Sequence, residues 1–360
     1  MPSMITTTTA AKSEQSVGIS HGLIAHLMVV THFVMKDTLD KLTASNRYEK
    51  LSMTYERYIP VLVEKDISPG ELAARVGSSK QACSKVIKEL EKLGLIERRQ
   101  NPEDGRSQLL SLSGKGMQLL QDGTRITAEV QQYLAEQIGG ERMDQMILLL
   151  EKVCHGLGVQ LRTYPRLPGA AESGSPIRLN MLLQAMTNHL RDTLLEEMSS
   201  KGFKGLRTNF GQILGMISSE PRRIQYIASV IGISKQAAAV LAIDFETLGY
   251  VIRESDPEDK RQIILRLSPQ GESLVRESIA SVRALEQRVE ALLGEKDYRV
   301  LESAMEDLYH AVAYQMGGSG MTNIVPGKIQ KLTDYLLEEL GVAGVRTLAQ
   351  HLLTITRGDS

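Results

Sequence analysis

The sequence has no tryptophan and only 4 phenylalanines, and aromatic residues make up 4% of its 360 positions. So small a supply poorly suits a β-sandwich core or a platform that stacks bases on exposed rings. Fifteen methionines fit helix packing better. Cysteine is scarce: Cys83 and Cys154 form no CxxC and have no histidine at zinc-ligand spacing, which excludes a disulfide framework and fits a reducing compartment. No apolar run reaches the roughly 20 residues that span a bilayer. The opening MPSMITTTTAAKSEQSVG lacks the apolar stretch of a secretory signal, so the expected location is the cytoplasm, with no membrane partner. Neither sign of charge dominates, since 42 Lys+Arg against 43 Asp+Glu leave −1. That excludes a chain coated in positive charge to hold nucleic acid non-specifically, but not a local basic patch. P-loop, GxGxxG, nucleophile-elbow and metal-ligand motifs are all missing, so neither an enzyme nor a cofactor is expected.

What the chain does contain is a repeat. Its length exceeds what one hydrophobic core usually serves, and 42% hydrophobic with 24% charged residues is an ordinary globular balance. Shifted by 155 positions, residues 67–116 lie ungapped over residues 222–271 with about 18 identities in 50, beyond what shared composition produces. The pairing extends outward through Tyr48 with Phe203, Leu51 with Leu206, Tyr55 with Phe210, Gly139 with Gly294 and His155 with His310. The expected organisation is a disordered tail over 1–19, a first domain over 20–162, a Pro/Gly/Ser-rich linker over 163–176, a second domain over 177–316, and a linker with a C-terminal helical extension over 317–360.

Both copies share one local grammar. In the first, residues 21–42 and 48–65 carry helical apolar spacing. Ser68 is placed as an N-cap, Pro69 at the first helical position and Gly77 just past a short helix. In the next helix Ala82, Cys83, Val86, Ile87, Leu90 and Leu93 form one stripe, and Gly94 ends it. LIERRQ and SQLLSLS alternate like strands around NPEDGR, whose Asn-Pro and Asp-Gly steps mark a hairpin tip. Long helices over 114–137 and 141–157 close the copy.

Helix, helix and hairpin make a winged helix-turn-helix, whose second helix enters the DNA major groove while the wing reaches the flanking backbone or minor groove. The run SSKQACSKVIKELEKLGLIERRQNPEDGRSQLLSLSGKG resembles the DNA-binding lobe of MarR-type regulators, and DFETLGYVIRESDPEDKRQIILRLSPQG carries the same signature. Members of that family act as dimers that pack their terminal helices together. The resemblance therefore implies a mainly α fold with small β-hairpin wings, in which two winged-helix lobes form an intramolecular pseudo-dimer through long helices. Further association of the chain is left open.

The resemblance also assigns candidate residues. Ser79, Lys80, Gln81, Ser84, Lys85 and Lys88 sit on or beside the first recognition helix, and Arg106 is at its wing tip. Gln suits adenine, Lys suits guanine or phosphate, and a wing arginine suits the minor groove. Ser234, Lys235, Gln236, Lys260 and Arg261 are their counterparts, with Asp104 and Asp259 as wing supports. The second recognition helix is apolar almost all round, with Ala239, Val240 and Ile243 where the first has Ser84, Lys85 and Lys88. Residues 67–116 hold nine Lys/Arg against six Asp/Glu, and 222–271 hold seven against six. The first lobe is thus the expected stronger reader of double-stranded DNA. The second is expected to supply mainly wing and phosphate contacts or to have lost groove binding, with the C-terminal helices available to cover its recognition helix, unless its Ala and Val meet thymine methyls. Tyr48, Tyr55, Arg57 and Tyr58 are candidates to line a pocket for a small aromatic or phenolic effector, or to serve as helix packing. His21, His26 and His32 lack metal-ligand spacing, and Cys83 reads as a small buried hydrophobe. The expected function is a ligand-responsive transcriptional repressor. The alternative is a winged-helix module that docks proteins and binds DNA weakly or not at all.

Overall fold

The computed structural model describes residues 22–45, 47–48, 50–105, 107–159, 161, 177–206, 210–218, 220–231 and 233–315. The N-terminal tail, the 163–176 linker, the C-terminal extension and Arg106 lie outside the described residues. The structure is mainly helical with two small antiparallel sheets, and it divides into two compact units. No single described helix is long and apolar enough to cross a membrane.

The larger unit comprises Gly22–Leu194 together with Val282–Val312. It holds the first copy: α1 (Leu23–Ala44), α2 (Val61–Glu64), α3 (Pro69–Arg75), α4 (Lys80–Lys92), β1 (Ile96–Gln100), β2 (Gln108–Leu112), α5 (Gly114–Ile138) and α6 (Gly140–Gly156). It also holds the beginning of α7 (Arg178–Ser200), the end of α11 (Pro269–Leu293) and most of α12 (Glu295–Gln315). The smaller unit, Leu195–Ser281, contains α8 (Phe210–Ile217), β3 (Arg222–Arg223), α9 (Ile224–Ile231), α10 (Lys235–Thr247), β4 (Val251–Ser255) and β5 (Ile263–Leu267).

Helices of both copies share the core of the larger unit. Leu23, Leu27 and Val30 of α1, Leu182, Leu183 and Met186 of α7, and Leu301, Met305 and Leu308 of α12 are all essentially out of water. Removing that much aliphatic surface from solvent is the main driving force for bringing the copies together. Polar contacts register them. The Ile24 N–H in the first turn of α1 donates to Glu286 Oε1 at 3.1 Å, and the Leu179 N–H in the first turn of α7 donates to Gln131 Oε1 at 2.9 Å. Residues 24 and 179 are equivalent under the 155-residue shift, as are 131 and 286, so one capping contact occurs twice. Each satisfies an amide that the helix itself leaves without an acceptor. His26 stacks on Tyr309 with ring centroids 4.5 Å apart, and the Thr31 and Thr187 hydroxyls lie 3.1 Å apart.

One expected element differs. Residues 48–65 do not form a single helix; they contain a 3-10 turn, Met53–Arg57, followed by the four-residue α2. Pro60 lies between them, where a missing N–H and a ring clash interrupt helical bonding. The second copy has Gly215 at the equivalent position and keeps one helix, α8. The two sheets differ in the same region. β1 and β2 pair from Ile96↔Leu112 to Gln100↔Gln108, with Ile67↔Leu110 as a lone bridge, whereas in the second copy β3 pairs with β5 as a third strand.

A close approach recurs where each long helix leaves its wing. Ser113 Oγ accepts from the Gly116 N–H and donates to the Gly94 carbonyl, and Ser268 does the same with Gly271 and Gly249. A Cβ on Gly116 would stand 2.0 Å from the Leu95 carbonyl oxygen, and one on Gly271 would stand 2.0 Å from that of Tyr250. Gly116→Ala and Gly271→Ala should each destabilise the chain by about 1–3 kcal/mol, the usual cost of overpacking. Denaturant unfolding midpoints unchanged by either substitution would contradict the packing described.

Candidate nucleic-acid interface

The first head is built from local signals. Ser68 Oγ accepts from the Glu71 N–H and caps α3, and Ser79 Oγ accepts from the Ala82 N–H at 3.2 Å and caps α4. Gly77 between the helices has φ +64°, a left-handed conformation that glycine adopts without steric cost. α4 ends at Gly94, φ +70°, with the Leu95 N–H donating back to the Leu90 carbonyl. Cys83, Val86, Ile87 and Leu90 face the core. Lys80, Gln81, Ser84, Lys85, Lys88 and Lys92 are exposed on the other side, and Ala82, expected in the buried stripe, is exposed too.

Charge pairing separates the outward face of α4 from the rest of the head. Arg98 Nε lies 2.5 Å from Glu91 Oε1, Arg99 pairs with Glu97 and Asp66, and Lys65 and Arg75 share Glu71. Lys80, Lys85, Lys88 and Lys92 have no ion-pair partner among the described residues. They form a row of uncompensated cations beside Gln81 and Ser84. The wing follows, closed by Asn101: its N–H donates to Ser107 O, its Oδ1 accepts from the Glu103 N–H, and its Nδ2 donates to Ser107 Oγ. The Asp104 carbonyl accepts from the Ser107 N–H, and Arg106 at the tip is outside the described residues.

The second head repeats this frame. Ser234 Oγ caps α10 by accepting from the Ala237 N–H at 3.1 Å, and Gly249, φ +81°, ends it. The Arg98–Glu91 pair has an equivalent in Arg253 Nε and Glu246 Oε2 at 2.6 Å. The outward face differs: Gln236 is exposed, but Val240 is 58% exposed and Ile243 47% exposed where the first head has lysines. Most arginines here are engaged, Arg223 with Asp256 and Glu258, Arg222 with Glu220 and Arg266 with Glu254. Lys235, Lys260 and Arg261 are exposed. Asp259 braces the wing tip by accepting from the Arg261 N–H and the Gln262 side chain. Asn101 and Asp256, which hold the turns through side-chain acceptors, were not among the expected wing supports. Their signal is the Asn-Pro and Asp-Pro step at each wing, because Asx side chains accept from the backbone two residues on.

A cavity of about 150 Å³ lies in the larger unit, among α1, the 3-10 turn, α5 and the start of α7. Tyr55 lines it, together with Leu42, Leu119, Ile177, Asn180 and Gln184. The phenol of Tyr55 donates to Glu89 Oε2 of α4 at 3.2 Å; burial, with that bond second, pushes its pKa up and keeps it a donor. The other candidates sit elsewhere. Tyr48 donates to Asp122 Oδ2 at 2.8 Å, Tyr58 is buried in packing, and Arg57 Nη2 donates to the Val76 carbonyl at 3.0 Å. Burial, then Lys36, lowers the His32 pKa, and burial raises the Cys83 thiol. Among the described residues no cluster of three or more His, Cys, Asp or Glu could hold a metal ion.

Two heads of this construction define winged helix-turn-helix modules. The MarR family model matches residues 61–107 and 207–262, so the chain carries two MarR-family winged-helix modules. Over 56 residues, 16% of this chain and 32% of the relative, the sequence is 41% identical to the transcriptional repressor MprA of Escherichia coli (strain K12). The chain thus matches about a third of the length of that curated relative. Solved structures with similarity include a MarR-family transcriptional regulator from Rhodococcus sp. RHA1, at 20% identity and TM-score 0.32 over 40% of this chain and 98% of that one. Another is the transcriptional repressor CouR bound to a 23-mer DNA duplex, at 23% identity and TM-score 0.31 over 38% and 92%.

The second wing has a defined pH response. The Glu258 N–H and then the Arg223 guanidinium hold the Asp256 carboxyl below the usual carboxylate range. A lowered folded-state value means the contribution is present above the unfolded-state pKa and is lost as pH falls through the folded one. The wing amides should keep their native NMR shifts to below about pH 4, the ordinary aspartate value, and Arg223→Ala should move the Asp256 titration upward. Titration of Asp256 at its ordinary value in the unmodified chain would contradict this.

Proposed function

We propose that the chain is a sequence-specific DNA-binding transcriptional regulator in which the first head is the stronger reader and the second supplies mainly wing and phosphate contacts. The observation that carries this reading is the outward face of α4, where Gln81, Ser84, Lys85 and Lys88 are exposed together and the lysines have no ion-pair partner among the described residues. An uncompensated row of cations on a helix of this size matches the depth and potential of a major groove. The equivalent face of α10 offers Gln236 flanked by Val240 and Ile243, with Lys235, Lys260 and Arg261 left for phosphates. Selection from a random duplex pool should enrich one sequence for the full chain. On that duplex Lys85→Ala and Lys88→Ala should each weaken binding roughly tenfold, the loss of one good base or phosphate contact. Gln236→Ala should change it less than threefold. Equal, large losses from Lys85→Ala and Gln236→Ala would overturn the asymmetry.

We further propose that a small neutral ligand, aromatic or phenolic, enters the cavity beside Tyr55 and releases the DNA, which makes the regulator a repressor. The name of the relative MprA, a transcriptional repressor, supports that direction. A cavity near 150 Å³ accommodates about one benzene-sized ring. Its lining contains Glu56 but no Lys or Arg to receive a carboxylate. Tyr55 lines the cavity and its hydroxyl bonds to α4, so a ligand that shifts this side chain acts on the recognition helix through one hydrogen bond. Tyr55→Phe should keep DNA affinity within about twofold yet cut ligand-induced release by roughly fivefold or more, the lower range of a coupling free energy. Full release by the same ligand in Tyr55→Phe would remove Tyr55 from the route.

The exposed Val240 and Ile243 favour a second reading, in which the second head docks a protein. It gains weight if pool selection enriches no sequence and binding never exceeds the salt-sensitive non-specific level.

A further inference from the structure

The contact between α6 and α12 carries an arrangement of charge that neither the repeat nor the DNA-binding role requires. Arg142 Nη1 of α6 lies 2.6 Å from Asp307 Oδ2 of α12, and Arg142 also donates to Ser303 Oγ at 2.8 Å. Lys152, ten residues further along α6, lies 3.3 Å from Asp297 Oδ2. An early residue of one helix meets a late residue of the other in both cases, so the helices run antiparallel. Under the 155-residue shift, 142 is equivalent to 297 and 152 to 307. The two ion pairs are therefore one contact repeated about the pseudo-dyad, with cations supplied by the first copy and anions by the second.

Identical copies could not make this contact. Two first copies would set Arg142 against Lys152 on both sides, and two second copies would set Asp297 against Asp307. Neighbouring positions are reversed in the same sense: Glu141 is equivalent to Lys296, and Asp144 to Arg299. Glu141 and Arg299 line one recess at the helix contact, where two first copies would bring Glu141 beside Asp144. The capping contacts, by contrast, do not discriminate, because Gln131 and Glu286 both offer an acceptor to a first-turn amide.

We propose that the α6/α12 charges are a pairing code that makes the first copy select the second and reject another of its own kind. Such a code closes the chain on itself. The tether raises the effective concentration of the correct partner, and like-charge repulsion disfavours first-with-first and second-with-second association between chains. Without it, two related dimerisation surfaces in one polypeptide would invite concatenated assemblies. The four side chains are half-exposed, so the code is screened by salt.

Charge exchange in the full chain tests this. Arg142→Asp with Lys152→Asp sets carboxylates face to face, and Asp297→Arg with Asp307→Lys sets cations face to face. Each double variant should lower the low-salt unfolding midpoint by roughly 2–4 °C, high salt should narrow the gap, and the quadruple exchange should recover the original midpoint. A quadruple variant with the sum of the two losses would show that the residues are not coupled and would overturn the proposal. Lys152→Asp alone tests selectivity, since it leaves Arg142–Asp307 intact but makes the first copy complementary to itself. Its light-scattering mass at high protein concentration should rise from one chain towards two. Adding Asp297→Arg, which repairs the intrachain pair, should return it to one. A mass unmoved by Lys152→Asp would overturn the selectivity even if the thermal coupling holds.

Discussion

The structure depends on a surface that one copy cannot bury alone. α1 is apolar on more than one side, with Leu23, Ile24, Leu27, Val30, Phe33 and Val34 all buried. Part of that surface is covered only because helices of the second copy lie against it; Ile24, for one, packs with Leu190, Val282 and Leu285. At about 25 cal/mol per Å² such burial outweighs any of the polar contacts in the same unit. Those contacts set the register, through the reciprocal caps at Ile24 and Leu179, which either copy can make, and through the ion pairs between α6 and α12, which differ between the copies. Hydrophobic burial supplies the association, and directional groups supply its register.

Placing both partners in one chain removes a constraint that symmetry imposes on ordinary dimers. In an isologous interface every substitution is made twice, so all the cations of a contact cannot lie on one subunit and all the anions on the other. Once the copies are separate stretches of sequence, each can change alone. The caps have drifted to Gln131 and Glu286, α6 and α12 have taken opposite charges, and α4 and α10 have diverged on their outward faces. The frame beneath those faces has not moved. Ser79 and Ser234 cap, Gly94 and Gly249 terminate, and the Arg98–Glu91 and Arg253–Glu246 pairs tie each recognition helix to its wing. Retained scaffolding under altered surface residues means that the two recognition helices differ in what they present, not in how they are capped, ended and tied to their wings.

Much of this was legible in the sequence because it rests on local rules. Caps, left-handed glycines and the 3.6-residue stripe of α4 follow from residue type and spacing, and so does the outward placement of Lys85 and Val240. The break at Pro60 was equally local but was outweighed by the apolar spacing around it; its Gly215 counterpart, which leaves α8 intact, marks the difference. Other features are non-local. No spacing rule tells that Arg57 bonds to the end of α3, that Tyr55 alone of four candidates reaches the cavity, or that α6 meets α12 antiparallel. A shift of 155 identifies equivalent residues, and only the packing identifies neighbours. The reversed charges at 142 and 297 were visible in the alignment, but they acquire meaning once 142 is known to face 307.

Net charge acquires a different sense in the same way. A total of −1 conceals a chain in which most arginines of the two heads are neutralised by carboxylates within a few ångströms, including Arg98, Arg99, Arg223, Arg253 and Arg266. Paired cations contribute little to a field felt at a distance, because each is accompanied by an equal and opposite charge. What remains to act on a polyanion is the unpaired set, which among the described residues includes a row of four lysines on α4, Lys80, Lys85, Lys88 and Lys92. Arg142 and Lys152 are removed from that set by Asp307 and Asp297. The ion pairs that distinguish the two copies therefore also neutralise two cations of α6, whereas the exposed lysines of α4 keep their charge uncompensated among the described residues.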